Sequence, residues 1–231
     1  MKYNILSPLL DLFFPPTCVV CNHSLIQQEE YVCIDCLLKL PFTRLSLSEP
    51  NLAEQKFWGL CDVEQVFALI YYDKGSPYNQ LIQKLKYHNQ PKLGLLLGAL
   101  ITQHLPFSFF ESIDEIIPLP IHPNKKKLRG YNQADWIAQG IKNNTNIPIR
   151  TDRVIKVIHN TSQTRKGLYE RRLNVENVYQ ANPNVSELEG KHILLVDDVL
   201  TTGSSLCACC QALQDKVNVK VSIVTFALTR N

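Results

Sequence analysis

The chain has 231 residues, of which 45% are hydrophobic and 19% are charged. These proportions fit an ordinary globular protein and exclude a disordered, fibrous or low-complexity chain. The net charge of +3 hides an asymmetry, because the stretch from Ile121 to Val175 carries twelve Lys/Arg against three Asp/Glu. This local charge indicates a surface for phosphate groups, on a small polyphosphate or a nucleic-acid backbone, with a solvated basic face as the alternative.

The opening residues, MKYNILSPLLDLFFPPT, resemble a signal peptide in their apolar character. Pro8 and Asp11 interrupt the apolar run and no small-residue cleavage site follows, which argues against secretion. No other apolar run reaches the roughly 20 residues that span a bilayer. We predict a cytoplasmic protein without a transmembrane segment, whose first residues form an amphipathic helix capping a neighbouring module. Peripheral contact with the inner membrane stays open.

Two Cys-x-x-Cys pairs follow, formed by Cys18 with Cys21 and by Cys33 with Cys36. Each pair directs two thiolates at one ion, and two pairs complete the tetrahedral shell of a structural zinc site. A disulfide framework is the weaker alternative in a reducing cytoplasm. We predict a small zinc-binding module, which together with a polar linker occupies residues 1–60.

The other four cysteines are not expected to bind metal. Cys61 has no Cys-x-x-Cys partner nearby, and we interpret it as a core residue. Cys207, Cys209 and Cys210 lie in a predicted helix beside small residues, where buried packing is expected.

The remainder, residues 61–231, alternates between strand and helix patterns. Strands are predicted at VFALIYY, DEIIPLPI, HILLVD and VKVSIVTFAL. Helices are predicted at SPYNQLIQKLKY, beginning at Ser76 with Pro77 in its first turn, at LGLLLGALITQHL, and at NQADWIAQGIKNN with Asn132 as its cap. The alternation predicts an α/β fold with a mostly parallel sheet flanked by helices.

The run ILLVDDVLTTGSS places two acids and a hydroxyl-rich loop directly after an apolar strand. Ligands of open α/β sheets bind outside the carboxyl ends of the strands, where Asp197 and Asp198 fall. The loop from Thr201 through Thr202, Gly203 and Ser204 to Ser205 leads into a predicted helix, so its backbone N–H groups and the helix dipole form a phosphate cradle. The acids suit ribose hydroxyls or a metal ion.

Three other interpretations of this run are weaker. A P-loop nucleotidase would need a Gly-x-x-x-x-Gly-Lys-Ser/Thr loop, which the sequence lacks. A receiver-type phosphorylation pocket places its acid pair near the domain start, whereas Asp198 lies near the end of this chain. Acids that are merely solvated at a strand end would leave the hydroxyl-rich loop unexplained.

The same run resembles the phosphoribosyl-pyrophosphate fingerprint of type I phosphoribosyltransferases. That resemblance implies that Asp197 and Asp198 hold the ribose diol and that Thr201 to Ser205 bind the 5′-phosphate. It also implies Mg²⁺ that bridges pyrophosphate and ribose oxygens, with few protein ligands of its own.

Further segments resemble the ComF family. PLPIHPNKKKLRGYNQA is similar to its pyrophosphate-loop and flexible-loop region, including an Arg-Gly-aromatic-Asn-Gln signature from Arg129 to Gln133. TSQTRKGLYERRLNVENVY is similar to its next basic segment, with Gln163, Arg165, Arg171 and Asn174 in corresponding places. With LKYHN and LLDLFFPPTCVVC, the resemblance covers nearly the whole chain. Some relatives carry a further Cys-x-x-Cys pair, where this chain has only Cys61.

The resemblance implies candidate residues for each contact. Pro118, Leu119 and Pro120 would form the pyrophosphate loop, and Arg129 joins the two acids as a candidate catalytic residue. The candidates for contact with nucleic acid or pyrophosphate are Lys125, Lys126, Lys127, Arg129, Tyr131, Asn132, Gln133, Arg165 and Arg171. Cationic side chains would neutralise phosphates, and Tyr131 is a candidate platform for a base.

Two functional hypotheses remain open. In the preferred one, a ComF-type competence protein binds phosphoribosyl pyrophosphate and handles incoming single-stranded DNA during natural transformation. A DNA-import helicase or other competence proteins are then the implied partners. In the alternative, an active phosphoribosyltransferase acts on an unidentified nitrogen base or nucleotide-related acceptor, because fold alone does not establish turnover.

Overall fold

The structure, a computed structural model, describes residues 15–157 and 178–230. In the first part, helix α1 (Ile34–Leu38) belongs to the cysteine module, and a short 3-10 turn covers Glu54–Lys56. The elements that follow are β1 (Val66–Tyr72), α2 (Asn79–Tyr87), α3 (Leu93–His104), α4 (Phe107–Glu111), β2 (Glu115–Pro118), α5 (Pro123–Arg129), α6 (Gln133–Thr145) and β3 (Val154–Lys156).

The second part contains β4 (Tyr179–Ala181), a 3-10 helix (Pro183–Leu188), β5 (His192–Leu200), α7 (Ser204–Gln214) and β6 (Lys220–Thr229). The opening residues 1–14 lie outside the described residues, as do Gln163, Arg165, Arg171 and Asn174. In the described part, no helix combines the length and the apolar character needed to cross a membrane.

Four strands form one sheet in the order β1-β6-β5-β2, and every neighbouring pair is parallel. Helices pack on both faces, so the middle of the central strand β5, from Ile193 to Val196, is a continuous apolar run. The prediction of a mostly parallel sheet with flanking helices is therefore confirmed. β3 and β4 pair separately as a two-stranded antiparallel ribbon.

The predicted elements agree with the structure apart from some ends. The predicted strand at VFALIYY matches β1, and Asn132 caps α6 by accepting a hydrogen bond from the N–H of Ala134. Helix α2 begins at Asn79 rather than at Ser76, because the residues around Pro77 form a turn before it. Strand β5 continues beyond Asp197 to Leu200, so the acid pair lies within the strand, near its carboxyl end.

Helices α3 and α6 lie against each other over one face of the sheet. Gly98 and Gly140 form their closest contact, where a Cβ on Gly98 would lie 2.8 Å from the Gly140 Cα. Only a residue without a side chain fits there. The contact fixes α6, whose first turn carries Asn132 and Gln133, relative to the sheet.

The cysteine module is joined to the sheet by backbone hydrogen bonds. Phe42 forms an antiparallel bridge with Ile70 of β1, and the N–H of Tyr71 donates to the O of Pro41 at 2.8 Å. The segment that follows also packs on the sheet domain, since Phe57 is fully buried in its core. The predicted linker is thus in extensive contact with the domain that it precedes.

Candidate functional site

Asp197 and Asp198 stand next to each other in β5, so their side chains leave opposite faces of the sheet. Asp198 is buried and faces α2, where its Oδ2 lies 2.8 Å from Lys86 Nζ. Asp197 is partly buried, and its Oδ1 accepts a hydrogen bond of 2.8 Å from the N–H of Asp198. The two carboxylates therefore have different neighbours despite their adjacency.

The electrostatic environment of Asp197 favours its neutral form. Burial raises the pKa of Asp197 to about 7, the charge of Asp198 adds to this, and Lys86 and Lys156 oppose it. Lys156 itself lies in a partly buried position, where burial and the nearby charge of Lys125 lower its pKa. Its Nζ is 3.0 Å from the hydroxyl of Tyr179 on the paired strand β4. Asp197 can therefore gain or lose a proton near neutral pH, and could exchange it with a bound ligand.

The loop from Thr201 to Ser205, here called the phosphate loop, connects β5 to α7. Gly203 has φ +80° and is buried, while the four hydroxyl residues of the loop are exposed. Helix α7 begins at Ser204 and is eleven residues long, so its free N–H groups point into the loop. The loop and the neighbouring residues Asp197, Val199, Leu200 and Leu206 line a small open cavity of about 70 Å³, which is of the size of a phosphate group.

The residues from Pro118 to Pro120 end the neighbouring strand. Pro118 is in register with Val196, and the N–H of Leu119 donates to the O of Val196 at 2.8 Å. The buried amide of Asn132 donates to the O of Leu119 at 3.0 Å and thereby ties α6 to this turn. Parallel strands thus bring the predicted pyrophosphate loop and the acid pair to the same edge of the sheet, here called the carboxyl edge.

Arg129 lies at the end of α5 and is held by two contacts. Its Nη1 donates to Gln133 Oε1 at 2.8 Å, and its guanidinium lies 5.2 Å from the ring centroid of Tyr87. Gln133 is buried, and within the described residues its Nε2 has no hydrogen-bond partner. An unpaired buried donor costs about 1–3 kcal/mol, which a ligand acceptor would recover.

The rest of the predicted basic patch divides into two kinds of residue. Lys125, Lys126 and Lys127 are exposed on α5, beside a Leu128 side chain that is 83% exposed. The ring of Tyr131 instead packs against the core, and its hydroxyl donates to the O of Leu85 at 2.6 Å. The exposed aromatic at this place is Tyr87, at 62%.

Sequence reasoning had not singled out three lysines near the site. Lys86 contacts Asp198, Lys156 lies near Asp197, and Lys56 packs on the phosphate loop, where a Cβ on Gly203 would meet the Lys56 O at 3.3 Å. Lys86 lies in LKYHN, so its neighbourhood did carry a signal. Lys56 and Lys156 lie in no recognisable motif, and only folding brings Lys56 to the loop and Lys156 near Asp197.

A separate site is formed by Cys18, Cys21, Cys33 and Cys36, whose sulfur atoms all lie within 4.8 Å of one another. Cys21 Sγ and Cys33 Sγ are 3.6 Å apart, near the spacing of tetrahedral zinc ligands at about 2.3 Å from the ion. Burial raises the pKa of Cys18, but N–H groups including those of Cys33 and Val20 outweigh it and lower the value to about 7. These thiols fit a structural zinc ion.

The other cysteines pack in the hydrophobic cluster between α7 and the sheet, which also contains Phe57. Cys207, Cys209 and Cys210 are buried on α7, as predicted, and Cys61 is partly buried against the same cluster. Cys210 Sγ lies 3.4 Å from the O of Asp62, so helix α7 and the segment around Cys61 are in direct contact.

Two families match separate parts of the chain. Residues 9–47 match the family described as "Double zinc ribbon domain", and residues 129–231 match "Phosphoribosyl transferase domain". The second match includes α6, β5, the phosphate loop and β6. The fold around the acid pair is therefore that of a phosphoribosyltransferase.

Three curated proteins show the extent of the similarity. "Competence protein F" of Haemophilus influenzae is 32% identical over 135 residues, which are 57% of this chain and 59% of that protein. "DNA utilization protein YhgH" of Escherichia coli K12 is 24% identical over 61% of this chain and 63% of its own length. "Competence protein ComFC" of Bacillus subtilis is 28% identical over 50% of this chain and 44% of its own length.

The chain thus spans between 44% and 63% of the length of these relatives. The cysteine cluster, the parallel sheet with its acid pair, and the two family matches agree with one another and with these similarities. This chain is therefore similar to competence proteins of the ComF type, and it carries a four-cysteine module ahead of a domain with the phosphoribosyltransferase fold.

Proposed function

We propose that the protein binds phosphoribosyl pyrophosphate together with Mg²⁺ at the carboxyl edge and acts in DNA uptake during natural transformation. The observation that carries the proposal is the phosphate-sized cavity of about 70 Å³, which Asp197 lines together with the phosphate loop. A carboxylate beside a phosphate cradle is unfavourable for phosphate alone. It suits a ligand that presents hydroxyl donors next to its phosphate, as ribose 5-phosphate does.

In this proposal the phosphate loop binds the 5′-phosphate. Gly203 allows the backbone to approach the ligand, and the start of α7 supplies N–H donors and the positive end of its dipole. The exposed hydroxyls of Thr201, Thr202 and Ser205 add further donors. Asp197, which lines the cavity, would accept a hydrogen bond from the ribose diol, whereas Asp198 is held by Lys86 on the other face of β5.

The pyrophosphate would lie toward the turn from Pro118 to Pro120. Arg129 is held by Gln133 and Tyr87, and in this proposal its charge would stabilise the negative oxygens of a departing pyrophosphate. The unpaired Gln133 Nε2 is a second donor for the same group. Mg²⁺ fits a site with two carboxylates and several phosphate oxygens, and would neutralise the pyrophosphate charge.

The DNA role rests on the relatives, whose names describe competence and DNA utilization. The exposed lysines of α5 support it, because a row of solvated cations follows a phosphate backbone without sequence preference. We place the protein at the cytoplasmic side of the inner membrane, handling single-stranded DNA with other competence proteins such as a DNA-import helicase.

The alternative is an active transferase that moves the phosphoribosyl group to a nitrogen acceptor. The raised pKa of Asp197 favours it, since an acid that titrates near neutral pH can exchange a proton with a reacting ligand. Incubation with phosphoribosyl pyrophosphate, Mg²⁺ and a panel of bases separates the two hypotheses. Pyrophosphate release that depends on one base would establish the enzyme.

Calorimetric titration with phosphoribosyl pyrophosphate and Mg²⁺ tests the ligand. The double variant Asp197→Asn/Asp198→Asn should lose binding while it remains folded. Asp215→Asn serves as the matched control, because this exposed acid lies beyond the other end of α7. Binding by the double variant that equals binding by the control would refute the site.

A second titration tests whether DNA shares this groove. A labelled oligothymidylate should bind the full chain, and phosphoribosyl pyrophosphate should displace it if the two ligands meet at Arg129. Simultaneous binding would place the DNA on the outer face of α5 alone.

A further inference from the structure

A second and much larger cavity adjoins the phosphate loop on its other side. It lies at the carboxyl ends of β1 and β6 and has a volume of about 670 Å³, compared with about 70 Å³ for the cavity within the loop. Tyr71 lines it from β1, Thr229 and Arg230 from the end of β6, and Thr202 from the loop. Its volume is in the range that encloses a small organic ligand.

The charged groups of this cavity select an anion. Lys56 and Arg230 line it, and among the described residues its lining contains no carboxylate. The Arg230 guanidinium carbon lies 3.9 Å from the ring centroid of Tyr71, so the plane of this cation is already oriented. Arg230 Nε is also 3.7 Å from Asp73 Oδ1, but both side chains are largely exposed, and such a pair exchanges readily for a ligand.

The rest of the lining is partly apolar and partly polar. Leu52 and Leu228 contribute apolar surface next to the Tyr71 ring. The hydroxyls of Thr202 and Thr229 supply polar contacts at the rim. An anion joined to a flat ring that also carries polar atoms is the chemistry of a nucleotide.

The cavity and the phosphate loop share Thr202, and Lys56 of the cavity lining packs on Gly203 of the loop. Lys56 ends the 3-10 turn that packs on Gly203, where a Cβ would lie 3.3 Å from the Lys56 O and 3.4 Å from its Cβ. Thr202 belongs to the loop and to the larger cavity, and its hydroxyl is 2.9 Å from that of Ser204. A ligand in the larger cavity would therefore lie beside whatever the loop binds.

We propose that this cavity is a second ligand site, which takes one nucleotide unit, with its phosphate on Lys56 and Arg230 and its base over Leu52, beside the stacked pair of Arg230 and Tyr71. The nucleotide comes from a free mononucleotide or from a residue of single-stranded DNA. The existence of this second site does not depend on the proposed function, because its lining is the same whatever the phosphate loop binds. Only the role of its ligand beside phosphoribosyl pyrophosphate rests on that function.

The test is performed on full-length protein carrying Asp197→Asn/Asp198→Asn, so that its outcome is independent of phosphoribosyl pyrophosphate binding. Thymidine 5′-phosphate and a twelve-residue oligothymidylate are the two probes, measured by calorimetry. Adding Lys56→Ala/Arg230→Ala should weaken binding about tenfold or more. Lys74→Ala is the matched control, an exposed lysine after β1 that does not line the cavity.

A loss with both probes identifies a site for free nucleotides, and a loss with the oligonucleotide alone identifies DNA as the source. The proposal is overturned if neither probe binds, or if the Lys56→Ala/Arg230→Ala chain binds both as tightly as the Lys74→Ala chain. Superimposable thermal melts of the variants would show that the exposed substitutions leave the fold intact.

Discussion

The amino ends of the parallel strands lie opposite the carboxyl edge and are here called the amino edge. At this edge, Arg153 is fully buried and donates two hydrogen bonds, of 2.8 and 3.0 Å, to the carboxylate of Glu115. At the carboxyl edge, Lys125, Lys126 and Lys127 are exposed, and within residues 15–157 and 178–230 they form no ion pair. Both sets of cations belong to the same basic stretch of sequence. A basic segment is thus not one surface, because the fold buries some of its charges in ion pairs and leaves others exposed to solvent.

The acids at the two edges also differ, because the pKa of one is lowered and that of the other is raised. Burial raises the pKa of Glu115, but the hydrogen bonds and charges of Arg153 and Lys191 outweigh it and keep the pKa below its usual value. At the carboxyl edge, the pKa of Asp197 is raised to about 7. The amino edge therefore contributes to stability, whereas the carboxyl edge holds an acid in an unfavourable environment, as sites for ligands often do.

The largest expected effect is on the buried ion pair. Arg153→Met should lower the free energy of unfolding by about 3–5 kcal/mol, because buried Glu115 would lose its two hydrogen bonds from Arg153 and keep the ion pair with the partly exposed Lys191. Arg150→Met is the control, since Arg150 pairs on the surface with Asp152 and should cost less than about 1 kcal/mol. Equal shifts of the urea midpoint for both variants would contradict the distinction between buried and exposed cations.

A second effect of opposite sign is expected for Asp197. The folded chain retains a proton on this acid up to about pH 7, whereas the unfolded chain loses it near pH 4. Its unfolding free energy therefore falls as the pH rises through this window, and the deficit is complete above pH 7. Asp197→Asn should stabilise the protein on the order of 1–2 kcal/mol at pH 8 and by less at pH 5.

Thermal melts at both pH values measure this difference. Asp152→Asn is the opposite control, because hydrogen bonding to Arg150 lowers the pKa of Asp152 to about 2. Its contribution to stability is present at neutral pH and is lost only as the pH falls toward 2, so this variant should lower the melting temperature. A gain for Asp197→Asn that is the same at pH 5 and pH 8 would rule out the proposed titration.

A smaller effect separates two roles of Tyr131. Tyr131→Phe removes the hydrogen bond to the O of Leu85 and should cost about 1 kcal/mol, while the ring remains in place. Oligothymidylate affinity should not change, since the ring packs on the core. Tyr87→Leu is the comparison, because Tyr87 is exposed beside Arg129 and its loss should weaken that affinity. Weaker DNA binding by the Tyr131→Phe chain would instead indicate that the Tyr131 hydroxyl contacts the DNA.

The smallest effect on stability belongs to the exposed lysines. Replacing Lys125, Lys126 and Lys127 by Ala should change the unfolding free energy by less than about 0.5 kcal/mol. The salt dependence of oligothymidylate affinity should nevertheless become shallower, by about 0.7 in slope for each phosphate contact removed. Lys216→Ala/Lys220→Ala removes exposed charge at the amino edge and should leave the slope unchanged. An equal change in both variants would mean that net charge alone binds DNA.

Local sequence patterns predicted much of this molecule. The strand β1, the cap at Asn132 and the start of α7 at Ser204 follow from side-chain period, capping chemistry and the glycine before the helix. The cysteine cluster was predicted from spacing alone, since each Cys-x-x-Cys pair already places two thiols together. The phosphate loop was predicted because all its residues are consecutive.

The pairing of charges that are distant in the chain could not be predicted from local patterns. Lys86 and Asp198, and Glu115 and Arg153, are far apart in the chain, and their contacts arise because parallel strands and crossing helices bring them to one place. The packing of Lys56 on Gly203 and the stacking of Arg230 on Tyr71 have the same origin. By itself the sequence determined which chemical groups the protein carries and their local conformation. Which cations stabilise the fold and which face a ligand depends on burial, and burial is a property of the whole packed chain.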